Sequence, residues 1–142
     1  MMADASILLV EDDPNDAHLT LRAFKKGGIA ARVTHVCDGD EALAFLFPET
    51  SPPPALPTVV LLDWKLPKVG GLEVLIRIRA EPRTHHLPVV ILTSSREERD
   101  VAAAYASGAN SYVTKPIEPG QFEAAARELG QYWLGRNEVL HR

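Results

Sequence analysis

Residues 58–71 read Thr58-Val59-Val60-Leu61-Leu62-Asp63-Trp64-Lys65-Leu66-Pro67-Lys68-Val69-Gly70-Gly71. An apolar run, β-branched at its start, lies between Pro57 and the Pro67/Gly70/Gly71 cluster and stops abruptly at one carboxylate, Asp63. A continuous apolar run bounded by chain breakers is the pattern of a strand buried on both faces, as in a parallel sheet. In an open α/β sheet, ligands sit in the crevice beyond the carboxyl ends of the strands. Asp63 stands at such an end.

Working outward, Ser6 to Val10 is a second buried-strand candidate that runs into Glu11, Asp12 and Asp13. The helix after it carries Ala17, Leu21 and Phe24 on one face, with Asp13 as N-cap, Pro14 first and Asp16 as the acid of a capping box. Gly27 and Gly28 end it. Arg32 to Val36 is a more polar strand, and Asp38 to Glu41 caps a helix with Leu43, Phe45, Leu46 and Phe47. The five prolines of Pro48 to Pro57 mark a loop. Downstream of Gly71, Leu72, Leu75 and Ile76 mark a helix that stops before Pro82, and Pro88 to Leu92 is a strand ending in Thr93-Ser94-Ser95. Ser95 and Glu98 form a capping box for a helix with Val101, Ala104, Tyr105 and Gly108 along one face. Ser111 to Thr114 is the last strand, ending at Lys115, and the last helix carries Phe122, Ala125, Ala126, Leu129 and Trp133. Five strands alternating with five helices predict an α/β fold, a doubly wound parallel sheet with right-handed crossovers.

The bulk properties agree with one globular domain over 1–142, with a core of about 5–134 and a short tail, 135–142. Of its 142 residues 46% are hydrophobic and 24% charged, and the net charge of −4 makes no electrostatic case for nucleic acid or anionic membrane. The single Cys37 excludes an internal disulfide, suits a reducing compartment and reads as a small buried apolar residue. No run reaches the length of a membrane span, and Met1 to Ser6 has no signal-peptide pattern, so a cytoplasmic place is expected.

Glu11, Asp12 and Asp63 fall at the ends of strands that can be neighbours. Carboxylates ~4 Å apart repel by about 4 kcal/mol per pair at an effective dielectric of 20, so gathering them needs a cation or a raised pKa. Mg²⁺ suits the set, since it takes one or two carboxylates and keeps waters and a phosphate oxygen. Taken alone, Glu11 and Asp12 read as loop acids, Asp13 as a cap, Thr93 as a strand-end residue and Lys115 as a surface lysine. Their shared place at carboxyl ends of strands turns them into a phosphoryl site: nucleophilic carboxylate, metal, hydroxyl donor and ammonium. His85-His86 lacks the spacing of a helical zinc site and reads as a solvated loop.

Four motifs, Leu8 to Pro14, Leu61 to Pro67, Ile91 to Ser95 and Gly108 to Pro116, make the chain resemble a response-regulator receiver domain of two-component signalling. The resemblance implies a flavodoxin-like fold with strand order 2-1-3-4-5. It implies Asp63 as phosphoacceptor from a histidine kinase, Mg²⁺ on Glu11, Asp12, Asp63 and the Lys65 backbone carbonyl, phosphoryl contacts from Thr93 and Lys115, and Tyr112 as an aromatic switch moving with Thr93. The proline loop, residues 105–112 and Tyr132-Trp133 resemble the single-domain regulators paired with phytochromes, which implies a phytochrome kinase as partner. Lys65, two past Asp63, replaces the Asn common in receivers, and Ser95 stands two past Thr93. These two positions flank the path of the hydrolytic water.

About seven residues follow the last helix, too few for an output domain, so the expectation is a stand-alone receiver that acts through protein contacts or phosphorelay. Two rivals differ in sequence. A haloacid-dehalogenase-type phosphatase wants an Asp where Lys65 stands; a degenerate receiver acting as a scaffold would lack Asp63, Thr93 or Lys115. Adjacent aromatics Tyr132 and Trp133 point about 100° apart on a helix, so one of them stands outside, near Leu134, Val139 and Leu140, and the expected use of that surface is a homodimer.

Overall fold

Each apolar run that ends in a polar residue is a strand of one parallel sheet in the computed structural model, which describes residues 5–140. The strands are β1 (Ser6–Val10), β2 (Arg32–Val36), β3 (Val59–Leu62), β4 (Val89–Thr93) and β5 (Ser111–Thr114). The helices are α1 (Pro14–Lys26), α2 (Gly39–Leu46), α3 (Gly71–Ala80), α4 (Glu98–Ala106) and α5 (Pro119–Gln131), and α5 runs into a π-helical turn, Tyr132–Arg136. The sheet order is β2-β1-β3-β4-β5, the order that the family resemblance implies. All strand pairs are parallel, with Val10 opposite Leu62 and Leu62 opposite Ile91.

Period-two alternation divides the core into two layers. Ile7, Leu9, Val59, Leu61, Val90 and Leu92 face α1 and α5, where Ala17, Phe24, Phe122 and Ala126 meet them. Leu8, Val10, Val60, Leu62, Val89 and Ile91 face α2, α3 and α4. Every residue of β3 and β4 is buried, which is why those runs show no polar alternation. At roughly 1.5–3 kcal/mol for each fully buried aliphatic side chain, the interior strands β1, β3 and β4 anchor the fold and fix its carboxyl edge.

Helix ends hold the crevice loops. Asp13 caps α1, its Oδ1 accepting from the Asn15 and Asp16 N–H groups at 2.9 and 3.3 Å. Asp38 caps α2 by accepting from Glu41 N–H at 2.8 Å, while Glu41 accepts from Cys37 N–H at 2.7 Å. Two close backbone approaches require glycine. A Cβ on Gly39 would strike the Val69 carbonyl, and one on Gly71 would strike the Asp63 carbonyl.

Several expectations are corrected. The Asp13 N–H is taken by Glu11 at 3.1 Å, and Asp16 turns to Lys115 instead of completing a capping box. Ser95 and Glu98 form no box, because α4 starts at Glu98 with Glu97 as its N-cap and no side-chain cap bond. Cys37 is exposed, being on the edge strand's exit and not in the core. Ile76 and Tyr105 are each 51% exposed, while Ile78 takes the core position of α3 and Ala104 that of α4. β4 starts at Val89, one residue after Pro88, which has no N–H for the ladder. Residues 1–4, part of the Met1 to Ser6 stretch read for a signal-peptide pattern, and 141–142 of the tail lie outside the described residues.

Candidate functional site

Strand ends bring the charged residues together. Glu11 follows β1, and its N–H bonds the Val36 carbonyl at 3.0 Å; Asp63 follows β3, and its N–H bonds the Val10 carbonyl at 3.1 Å. Lys115 follows β5, its N–H on the Thr93 carbonyl at 2.7 Å. The ladder therefore continues one residue past these strands and fixes three functional Cα positions by main-chain bonds alone.

The buried Lys115 ammonium uses all three of its hydrogens on carboxylates: Glu11 Oε1 at 2.7 Å, Asp63 Oδ2 at 2.8 Å and Asp16 Oδ2 at 2.9 Å. Burial pulls the Lys115 pKa down, but these three bonds more than offset it, and the group is held above the ordinary lysine value. Burial pushes the Glu11 carboxyl up to about 7; the Lys115 hydrogen bond opposes that shift and the charge of Asp63 adds to it. Three carboxyl groups face one ammonium, and the exposed Asp12 stands beside them, so the site holds a surplus of acids over bases.

That surplus is what a hard cation answers. Carboxylate oxygens of Glu11, Asp12 and Asp63 lie within 4.8 Å of one another, and oxygen donors with one exposed member suit a divalent ion that keeps water and a phosphate oxygen. The donor set fits Mg²⁺. On the far side Asp63 Oδ1 accepts from the Lys65 N–H at 3.2 Å, which orients the Lys65 peptide against the same carboxylate. His35 Nε2–H donates to the Glu11 carbonyl at 2.8 Å and steadies the β1 exit.

A second group of contacts surrounds Thr93, which is fully buried at the end of β4. The Ser95 N–H lies 3.4 Å from Thr93 Oγ1, and the Ser95 carbonyl accepts from Tyr112 Oη at 3.0 Å. The Ser95 hydroxyl donates to Asp100 Oδ2 at 2.5 Å, and Lys65 Nζ stands 3.4 Å from the same oxygen. The Ser95 hydrogen bond holds the Asp100 carboxyl below the usual range against burial, and Lys65 and the Trp64 side chain assist. Burial raises the Tyr112 phenol above its ordinary value.

All the residues singled out in sequence (Glu11, Asp12, Asp63, Lys65, Thr93, Tyr112 and Lys115) line this one carboxyl-edge crevice or its wall. Sequence reasoning missed Asp16 and Asp100 as members. Asp16 carried a signal, an acid spaced four residues after Asp12 on a helix that starts at the crevice, but a cap role accounted for it. Asp100 sits inside a helix and is revealed only by its contacts. His85 and His86 stack edge-on at 4.8 Å, with His85 Nδ1–H on the Arg79 carbonyl at 2.6 Å. They form no metal cluster among the described residues.

A sheet of this order with these strand-end residues defines a receiver. Residues 7–127 match the response regulator receiver domain family, and the chain belongs to it. It is 41% identical over 131 residues to the probable methanogenesis regulatory protein FilR2 of Methanothrix harundinacea, with 92% of this chain and 84% of that one covered. To the response regulator Rcp1 of Synechocystis it is 38% identical over 132 residues, 90% and 88% of the two chains. The Mn²⁺-bound structure of Rcp1 superposes with a TM-score of 0.89 at 33% identity, covering 96% of this chain and 99% of that one. The structure of the phosphorylated cyanobacterial phytochrome response regulator RcpA gives 0.91 at 33% identity, covering 98% and 100%.

Proposed function

We propose that this receiver is a stand-alone response regulator phosphorylated on Asp63 by a histidine kinase. The observation that carries the reading is the buried Lys115 ammonium on Asp63 Oδ2, with a surplus of carboxylates opposite. An Asp63 oxygen attacks the phosphorus of a phosphohistidine, the P–N bond breaks, and the imidazole nitrogen keeps the electron pair and takes a proton. Lys115 pairs with an incoming phosphoryl oxygen, and the Thr93 hydroxyl donates to another. Mg²⁺, when bound by Glu11, Asp12, Asp63 and the Lys65 carbonyl, neutralises charge on the transferring group. Tyr112 reads the state of Thr93 through Ser95, whose backbone contacts both.

Likeness to RcpA supports a phytochrome-type kinase as partner, and Rcp1 in its Mn²⁺-bound form supports a divalent ion. No helix among the described residues is long and apolar enough to cross a membrane, in keeping with the cytoplasmic place that belongs to this reading. The half-exposed Tyr132 beside Trp133 is the proposed centre of a homodimer. The test is phosphate uptake from a phytochrome kinase or a small phosphodonor with Mg²⁺. Acid-labile phosphate is expected on the wild-type chain and none on a folded Asp63→Asn chain, which keeps size and polarity without the nucleophile. Label that persists in Asp63→Asn removes the assignment, and a wild-type chain that takes none is a scaffold.

A further inference from the structure

Asp100, in the first turn of α4, is buried yet takes no part in the metal cluster or in the Lys115 network. Its Oδ2 receives two donors from two different loops: the Ser95 hydroxyl of the β4–α4 loop at 2.5 Å and the Lys65 ammonium of the β3–α3 loop at 3.4 Å. Lys65 touches the phosphoacceptor through its own N–H, 3.2 Å from Asp63 Oδ1. Ser95 touches Thr93 through its N–H and Tyr112 through its carbonyl. One carboxylate thus joins the loop that carries the reacting group to the helix behind it.

The two bonds differ in kind. The Ser95 bond is short and sheltered. The Lys65 side chain is 58% exposed, and a pair with so wet a partner is weak and readily exchanged. Lysine is a compact charge on a flexible stem, and a phosphoryl group on Asp63 brings a charge of about −1.5 to −2 to within two residues of it. We propose that Asp100 parks the Lys65 ammonium on α4 while Asp63 is unmodified and competes with the phosphoryl group for it once Asp63 is modified. This rests on the phosphoacceptor reading of Asp63. It assigns Asp100 two consequences. Asp100 shortens the life of the aspartyl phosphate by drawing a covering, charge-stabilising ammonium away from it. Loss of the Lys65 tie also loosens the start of α4 when phosphate arrives, a route to α4 separate from Tyr112.

Hydrolysis here means that a water oxygen bonds phosphorus, the bond from phosphorus to the Asp63 oxygen breaks, and inorganic phosphate leaves with the Asp63 carboxylate restored. The experiment loads the full chain from acetyl phosphate with Mg²⁺, removes the donor and follows loss of acid-labile phosphate. Asp100→Asn keeps an oxygen for the Ser95 hydroxyl and removes the charge that Lys65 sees. It is expected to lengthen the lifetime by a factor of roughly 1.5 to 5, the factor that an exposed ion pair is worth. Lys65→Ala should shorten it, and the double variant should decay like Lys65→Ala. Equal lifetimes for wild type and Asp100→Asn overturn the competition, as does an Asp100→Asn effect of the same size without Lys65. Hydrogen exchange in the unmutated chain needs no variant to fold: the 98–101 amides should exchange several-fold faster on loading, and unchanged exchange overturns the α4 route. A wild-type chain that takes no phosphate overturns the Asp63 reading and the competition with it, whereas phosphate with equal lifetimes overturns the competition alone.

Discussion

At the Lys115 ammonium three carboxylates converge, and removing it leaves Glu11, Asp16 and Asp63 without their shared counter-charge. Breaking a buried pair from one side costs about 3–5 kcal/mol. Lys115→Ala is therefore expected to lose roughly 3 kcal/mol in urea unfolding with chelator present, and Mg²⁺ should recover a good part of that loss. A gap that Mg²⁺ leaves unchanged would place the ion elsewhere. Glu11 gives a pH signature of the same crowding. Its carboxyl holds a proton up to about 7 in the folded chain against an ordinary 4.5. The folded state then binds a proton that the unfolded state releases, so this contribution to stability is full below about 4.5 and lost as pH rises through about 7. In chelator, Glu11→Gln should flatten that slope and add on the order of 1 kcal/mol at pH 8. A melting profile between pH 5 and 8 identical to wild type would count against it. The strand-end residues were legible in sequence because an apolar run that stops at a charge says where the charge must sit. Asp16 was not, since its partner is 99 positions away and its helix offered it a local task.

Elements show the same division between what a local pattern encodes and what packing decides. The two-sided burial of β3 and β4 could be read directly, because no polar residue interrupts either run. The start of α4 could not. Ser95 and Glu98 have the spacing of a capping box, but the Ser95 hydroxyl donates to Asp100 while its oxygen accepts from the Glu97 N–H at 3.4 Å, so that side chain serves the loop before α4 and not the helix's own first turn. The β3–α3 loop is shaped by α2, whose first residue Gly39 leaves room for the Val69 carbonyl, while Lys68 reaches Asp38 at 3.6 Å. Gly39→Ala should cost about 1–3 kcal/mol, as overpacking does, and slow phosphate uptake, because the displaced loop carries Lys65. Gly70→Ala in the same loop meets open space at ordinary backbone angles and should stay within about 0.5 kcal/mol of wild type. Equal melting points for the two variants would show that the loop yields freely.

For the molecule as a whole, the question is which surface meets a second copy. The split between Tyr132 and Trp133 follows the helical reading, with Tyr132 half exposed and Trp133 packed against the α1–α5 layer. Leu134 departs from that reading: it is buried at 8% exposure in the core, four residues after the buried Gly130 and so on the same helix face. Deleting everything after Gly130 would open the core, so a surface substitution is the cleaner probe. Sedimentation at tens of micromolar should show a dimer for the full chain and a monomer for Tyr132→Asp at an unchanged melting temperature. A wild-type chain that sediments as a monomer ends the dimer proposal.

Trp64 adds an optical consequence to the architecture. Its indole is 7% exposed in the α2–α3–α4 layer, directly after Asp63 and within reach of Asp100. The other tryptophan, Trp133, packs in the opposite layer. Replacing Trp133 by Phe leaves a single tryptophan, Trp64, beside the crevice, so cation binding, phosphoryl arrival and any movement of Lys65 off Asp100 become changes in one intrinsic tryptophan fluorescence signal, read in real time and without a label.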